Sequence, residues 1–222
     1  RFDSHPLAYI IVEGMALGQI YRCGLSVQRY RITVETAGGH SWVDFGRPSA
    51  VHALAQLVTQ ITALIVPSEP RSSLNVGTIQ GGTSINTIAA RAEMELDLRS
   101  EDSQALAGLV EKVETLVRKS QQSDVKVTAE VIGQRPFGEI SMRHPLIRLA
   151  GKCLKAQGIT PHFNAGSTDA NVPLSRGLPA VCVGLTTGCG AHTTGEYIHT
   201  PPLAKGMEQL VSLVEMAYHK LD

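Results

Sequence analysis

The chain has 222 residues, enough for one large domain or two small ones, and 43% of them are apolar, as expected of a protein with a buried core. Its 20 Lys and Arg balance 20 Asp and Glu without any basic or acidic run, which disfavours nucleic acid and membrane surfaces as partners. No apolar stretch approaches the ~20 residues that span a bilayer, nothing at the start reads as a signal peptide, and the cysteines (Cys23, Cys153, Cys182, Cys189) form no CxxC pair and read as reduced thiols of a cytoplasmic protein.

Residues 7–12, Leu7-Ala8-Tyr9-Ile10-Ile11-Val12, are a continuous apolar run, the pattern of a strand covered on both faces. The run ends at Glu13-Gly14. A carboxylate there stands at the edge where α/β sheets hold ligands, although a solvated strand-end Glu looks the same in sequence. From Val27 the pattern alternates: Gln28, Tyr30, Ile32, Val34 and Thr36 share one face, and Arg29, Arg31, Thr33 and Glu35 the other. Ala37-Gly38-Gly39-His40-Ser41-Trp42 breaks that strand. Pro48 suits a first helical position, and Val51, Leu54, Leu57, Val58, Ile61, Leu64 and Ile65 follow at helical spacing up to Pro67.

A second strand is expected over 72–80 and a loop over 80–87. Residues 91–99 then alternate, with Ala92, Met94, Leu96 and Leu98 inward. Leu106, Leu109, Val110, Val113, Leu116 and Val117 mark a second amphipathic helix, and Val125, Val127, Ala129 and Val131 a fourth strand. This β-α-β-β-α-β order is the split, ferredoxin-like arrangement. Beyond it come a helix over 145–158, a turn at 164–171 leading into a short helix, a buried strand over 179–185, and a last helix over 203–220. That helix is expected to bury Met207, Leu210, Val211, Val214, Ala217 and Tyr218.

Residues 1–26 and 134–222 therefore read as one α/β layer, and 27–133 as an α+β domain inserted into it. Two buried strands with two or three helices are too few to cover a parallel sheet, so part of the layer is expected upstream of Arg1. Between the strand 179–185 and the last helix lies Gly188-Cys189-Gly190-Ala191-His192-Thr193-Thr194-Gly195-Glu196. His192 is the only side chain of that loop able to bind a metal as a neutral imidazole or to exchange a proton near pH 7. By itself the loop reads more readily as a surface turn with a solvated histidine.

Six stretches occur in a fixed order: Ile10-Ile11-Val12-Glu13-Gly14, Gly38-Gly39-His40-Ser41, Ile79-Gln80-Gly81-Gly82-Thr83-Ser84-Ile85-Asn86-Thr87-Ile88, Asp97-Leu98-Arg99, Gly166-Ser167-Thr168-Asp169-Ala170, and Ala191-His192-Thr193-Thr194-Gly195-Glu196. Together, with the inserted domain between them, they resemble the later two-thirds of the zinc-dependent aminopeptidase and deacylase family. That family includes tripeptidases of the peptidase T type, carboxypeptidase G, acetylornithine deacetylase and succinyl-diaminopimelate desuccinylase. The resemblance implies a partial catalytic α/β layer carrying an inserted ferredoxin-like dimerisation domain.

The resemblance also implies roles. Glu13 matches a carboxylate ligand of one zinc ion and His192 a histidine ligand of the other. His40 matches a histidine that reaches the partner subunit's active site and polarises the scissile carbonyl. Asn86 and Arg99 match positions that bind the substrate's carboxylate, Arg135 a further one, and Gly166, Thr168 and Asp169 belong to a glycine-rich loop at the substrate pocket. Two zinc ions, with cobalt or manganese as substitutes, would lower the pKa of a shared water and polarise an amide carbonyl. An extra donor such as His40 would stabilise the oxyanion, and Arg99 suits two-point recognition of a carboxylate.

The implied function is hydrolysis of small peptides, with N-acyl amino acids as the runner-up substrates, by a homodimer joined through residues 27–133. The family's first histidine ligand, bridging aspartate and Glu-Glu pair would all precede Glu13, and Asp3 and His5 do not match them. A fragment inactive by itself is therefore expected. The alternatives are a non-catalytic dimerisation or regulatory module, His199 in place of His192 as ligand, His40 and Asn86 as turn-formers, and Arg99 as a strand-end charge. His5, His162 and His219 read as surface residues, His52 as a residue at a helix start, and His144 as a helix boundary.

Overall fold

The structure, a computed structural model, describes residues 6–221; Asp3 and His5 lie outside the described residues. In chain order the elements begin with β1 (Tyr9–Glu13), β2 (Gln19–Gly24), β3 (Ser26–Glu35), β4 (Gly39–His40), α1 (Ala50–Thr62), β5 (Ser72–Gly81), β6 (Thr87–Ile88), β7 (Arg91–Ser100), α2 (Ser103–Lys119) and β8 (Lys126–Arg135). They continue with β9 (Gly138–Glu139), α3 (Pro145–Ala156), β10 (His162–Gly166), α4 (Asn171–Ser175), β11 (Ala180–Gly184), β12 (Gly188–Cys189), β13 (Tyr197–Ile198) and α5 (Leu203–Lys220). Two compact units result. One is Ser26–Arg135; the other joins the described residues up to Leu25 with those from Pro136 onward.

The Ser26–Arg135 unit is a four-stranded antiparallel sheet in the order β5-β7-β3-β8. Strict alternation in β3 and β7 puts Tyr30, Ile32, Val34, Met94, Leu96 and Leu98 on one face, where each is at most 2% exposed. Helix α1 covers that face with Leu54, Leu57 and Ile61, and α2 with Leu106, Leu109, Val113 and Val117. Asp102 starts α2 by accepting the Ala105 N–H at 2.8 Å, which satisfies one of the helix's orphan donors. The opposite face is laced by exposed charge pairs such as Arg31–Glu95 at 2.9 Å and Lys126–Glu35 at 3.1 Å. These are worth little stability individually.

The other unit differs from expectation in three ways. Its sheet has five strands, ordered β1-β11-β2-β10 with β9 beside β2, and it is mixed: β1 runs parallel to β11 and β2 parallel to β10, while β2 and β11 are antiparallel. Strand β2 is central yet absent from the sequence reading, because its alternation is interrupted by Arg22. The structure compensates that charge with Glu139 at 3.2 Å on β9.

Strand β1 is not covered on both faces. It pairs with β11 alone in this sheet, Ile10 and Ile11 are half-buried, and Val12 is 43% exposed. Helix α5 is also rotated from the expected face: it buries Gly206, Gln209, Leu213 and Ala217, while Met207, Val211, Val214 and Tyr218 are exposed. Gly206 sets that rotation by letting the helix backbone lie against the Leu185 carbonyl, where an added Cβ would come within 1.9 Å of the oxygen. Helix α3 behaves as its sequence suggests. Pro145 opens it, and His144 caps it by accepting the Leu146 N–H at its Nδ1.

Candidate active site

In the unit built around β1 and β11, parallel pairing puts Glu13 opposite Gly184, so both strands end at one edge of the sheet. The pairing continues past that edge, where Leu185 N donates to Glu13 O at 2.9 Å and Thr186 N to Gly14 O at 2.8 Å. Close approach requires glycine here. A Cβ on Gly184 would meet the Ala16 carbonyl carbon at 1.8 Å, and one on Gly188 the Met15 sulfur at 2.6 Å. The chain after Glu13 thus packs against the chain after β11.

From that base β12 and β13 form a short hairpin, and His192 stands in its tip. Thr186 Oγ1 donates to His199 O and His199 N to Thr187 O, fixing the hairpin's root. His192 has φ 65°, the only non-glycine residue with positive φ among those described. The Glu196 carboxylate accepts the His192 backbone N–H at 3.0 Å. Glu196 therefore holds the backbone of the tip, and that geometry gives it no hold on the imidazole. His199, the competitor, lies at the hairpin's root with its ring edge-on to Tyr197 at 5.3 Å.

The loop after β10 carries the other expected residues of this unit. Buried Asn171 organises it: its Oδ1 accepts the Thr168 N–H at 3.0 Å, and its Nδ2 donates to Leu25 O at 2.6 Å and Pro136 O at 2.9 Å. One amide thus ties the loop to both points where the chain leaves and re-enters the unit. Cys182 of β11 lies among these groups. Burial pushes its thiol up to about 12, helped by the charges of Glu13 and Asp169 against an opposing hydrogen bond with Thr168. Tyr21 is likewise raised by burial, then by Cys182 and Glu13. Glu13, Thr168 and Asp169 are therefore brought together around Cys182 and Tyr21, two neighbours that sequence reading did not single out.

In the Ser26–Arg135 unit, β4 pairs with β6 so that His40 faces Thr87, and Ser41 N donates to Asn86 O at 3.0 Å. His40 and Asn86 are thus neighbours. Asp44 grips this loop, accepting the His40 N–H at 2.8 Å through Oδ2 and pairing with Arg47 at 3.0 Å through Oδ1. The large apolar side chains of Trp42, Val43, Phe45 and Ile85 stand exposed around it. A cavity of about 690 Å³ opens beside β6, lined in part by Gly82, Thr87 and Arg91.

Arg99 and Arg135 lie elsewhere. Both pair in register with Val27, eight positions along β3 from Glu35, at the far end of the sheet from the His40 loop. At the rise of an antiparallel strand that is about 27 Å. Asp97 binds Arg99 at 2.5 Å and Arg29 at 2.7 Å; its burial opposes ionisation, but those hydrogen bonds and charges hold its carboxyl below the usual range.

A carboxylate and an imidazole are donors that suit zinc, but a zinc site takes three or four protein ligands. Among the described residues no group of three or more His, Cys, Asp and Glu side chains is arranged to hold a metal ion. Glu13 and His192 do not make a zinc centre by themselves. No helix of the described residues is long and apolar enough to cross a membrane.

Comparison with known proteins gives a consistent picture. Residues 26–125 match the peptidase dimerisation domain family. An uncharacterised hydrolase of Sinorhizobium fredii is 24% identical over 202 residues, covering 86% of this chain and 49% of that protein. An N-acetyldiaminopimelate deacetylase of Priestia megaterium is 32% identical over 90 residues, 39% of this chain and 24% of the deacetylase. Among solved structures, a tripeptidase of Staphylococcus aureus aligns with TM-score 0.78 at 17% identity, over 94% of this chain and 56% of its own. The aminopeptidase PepT of Bacillus cereus aligns with TM-score 0.71 at 21% identity, over 93% and 56%. The chain shares their fold and spans about half the length of these hydrolases.

Proposed function

We propose, from the match of residues 26–125 to the peptidase dimerisation domain family, that the chain is the dimerising part, and part of the catalytic layer, of a metal-dependent hydrolase. The bonds cleaved are amide bonds of small peptides or N-acyl amino acids, in the cytoplasm. The tripeptidase, PepT and deacetylase similarities support both substrate classes. Zinc bound in the complete protein would supply an activated water and polarise the carbonyl. Glu13 and His192 would contribute one ligand each, the remaining ligands and the general base coming from polypeptide outside this chain. The left-handed backbone of His192 supports that role, since such strained residues gather at functional sites.

One observation carries the reading that two subunits share each site. Strand β3 runs about 27 Å from Val27, which pairs with Arg99 and Arg135, to Glu35, beyond which the chain enters the His40 loop, whereas an extended tripeptide reaches only about 10 Å. His40 with Asn86 and Arg99 with Arg135 cannot grip the two ends of one small substrate within a single copy. His40 of one subunit therefore serves a substrate held by Arg99 of the other, in a homodimer joined through residues 27–133.

The test is subunit complementation in the polypeptide of the complete reading frame, assayed on tripeptides and N-acetyl amino acids with zinc. His40→Gln and Arg99→Ala should each abolish most turnover. Mixing and re-equilibrating the two variants should restore roughly a quarter of wild-type turnover, because half of the dimers are then mixed and each carries one intact site. No recovery on mixing would assign each site to a single subunit. Absence of hydrolysis and of tight zinc binding in the complete polypeptide would leave a non-catalytic dimerisation module.

A further inference from the structure

The His40 imidazole is held in a way that its proposed role does not by itself explain. Its Nδ1 accepts two backbone N–H groups, from Trp42 at 3.2 Å and Val43 at 3.4 Å. A ring nitrogen that accepts carries no proton, and a neutral imidazole has one, so that proton lies on Nε2. The donors reach Nδ1 because the chain folds back on itself immediately after His40. Asp44 holds that fold: Oδ2 takes the His40 N–H at 2.8 Å, Oδ1 takes Arg47 at 3.0 Å, and Asp44 N donates back to His40 O at 2.9 Å. Gly39 makes room for the carboxylate, since a Cβ there would lie 2.7 Å from Oδ2.

Resting on the proposed role of His40, we propose that Asp44 is a positioning residue. Braced by Arg47, it folds residues 40–46 onto Nδ1 and thereby fixes His40 as the Nε2–H tautomer. The consequence is chemical. An imidazole with Nδ1 occupied and a proton on Nε2 presents a single outward donor and no outward acceptor. It hydrogen-bonds to a carbonyl oxygen or oxyanion and does not take a proton from water or substrate. His40 thus acts as an electrophilic donor, and the general base must be a different group.

The test reads the tautomer directly in this chain, by nitrogen NMR of isotope-labelled histidine at a pH where the ring is neutral, with His40→Gln identifying the signals. The wild type should show one strongly asymmetric pair of ring nitrogens, pyrrole-like at Nε2 and pyridine-like at Nδ1. Asp44→Ala should collapse that asymmetry towards a mixture, and Asp44→Asn, which keeps an acceptor for the His40 N–H, should largely restore it. Arg47→Ala, the loss of an exposed side chain, should move the signals the same way by a smaller amount. This second variant decides the matter if Asp44→Ala does not fold. A wild-type mixture, an Nδ1–H tautomer, or no change in Asp44→Ala and Arg47→Ala would overturn the proposal. The catalytic reading of His40 fails by a separate result, unchanged turnover of His40→Gln in the complete enzyme, which leaves the tautomer measurement untouched.

Discussion

Cys182 and Cys189 are seven residues apart, yet their chemistry should differ sharply. Cys182 is fully buried in β11 and its thiol is pushed up to about 12, first by burial and then by the charges of Glu13 and Asp169, whereas Cys189 is exposed. At pH 8 a thiol of that pKa is about one part in ten thousand thiolate, and the thiolate is the reactive form. A disulfide reagent at pH 8 should therefore find Cys189 rapidly and leave Cys182 and buried Cys153 untouched until the chain unfolds. Loss of the fast phase in Cys189→Ser, with no change in Cys182→Ser, checks this by spectrophotometry; the reverse pattern would refute it. The sign of the linkage follows. Because the folded-state value lies above the thiol's ordinary 9.0, the unfolded chain ionises first. The Cys182 contribution to stability is therefore complete below pH 9 and is lost as pH rises towards 12.

At the scale of elements, two glycines in helices predict opposite outcomes for one substitution. Gly206 in α5 lies against the Leu185 carbonyl with no room for a methyl group, while a Cβ on Gly108 in α2 would meet nothing within 4 Å. Gly206→Ala must push α5 off the end of β11 and should cost about 1–3 kcal/mol. Gly108→Ala only removes backbone freedom from the unfolded chain and should stabilise by about 0.5–1 kcal/mol. Urea midpoints of the two variants against wild type decide it, and equal shifts would contradict the packing of α5.

The same elements show what sequence can and cannot disclose. Helices α1 and α2 and strands β3 and β7 were legible because each has one wet and one dry face, and the period of that contrast names the element. Strand β2 was not, since the partner that neutralises Arg22 is 117 residues away on β9. The buried face of α5 is not legible because its apolar residues encircle more of the helix than its packing against α3 covers. The β4–β6 and β12–β13 pairs, which carry His40 and flank His192, are two residues per strand and are held by backbone hydrogen bonds that leave no side-chain pattern. Asp44 and Asn171 escaped notice for a related reason: each works through backbone groups that any residue possesses.

At the scale of the whole molecule, the two units have separate hydrophobic cores with no residue in common. All four cysteines lie outside Ser26–Arg135, so thiol protection follows only the unit built around β1 and β11. Independent cores imply independent cooperativity. The Ser26–Arg135 unit has its antiparallel sheet closed under two helices. In the other unit β1 is half-covered and α5 leaves its Met207, Val211, Val214 and Tyr218 face exposed, so the exposed apolar groups lie on elements that close its core, whereas Trp42, Val43, Phe45 and Ile85 of the Ser26–Arg135 unit stand in loops. In urea the second unit should unfold first. Hydrogen exchange resolved by peptide should show amides of residues 136–221 losing protection at a lower midpoint than those of residues 26–135. Labelling of Cys153 and Cys182 should coincide with the first transition. Each step should have the urea dependence of a small domain, about 1–2 kcal/mol per molar. If every amide and thiol lost protection at one midpoint, the units would be energetically coupled. A reversed order would mean that exposed apolar surface is not what limits the β1–β11 unit.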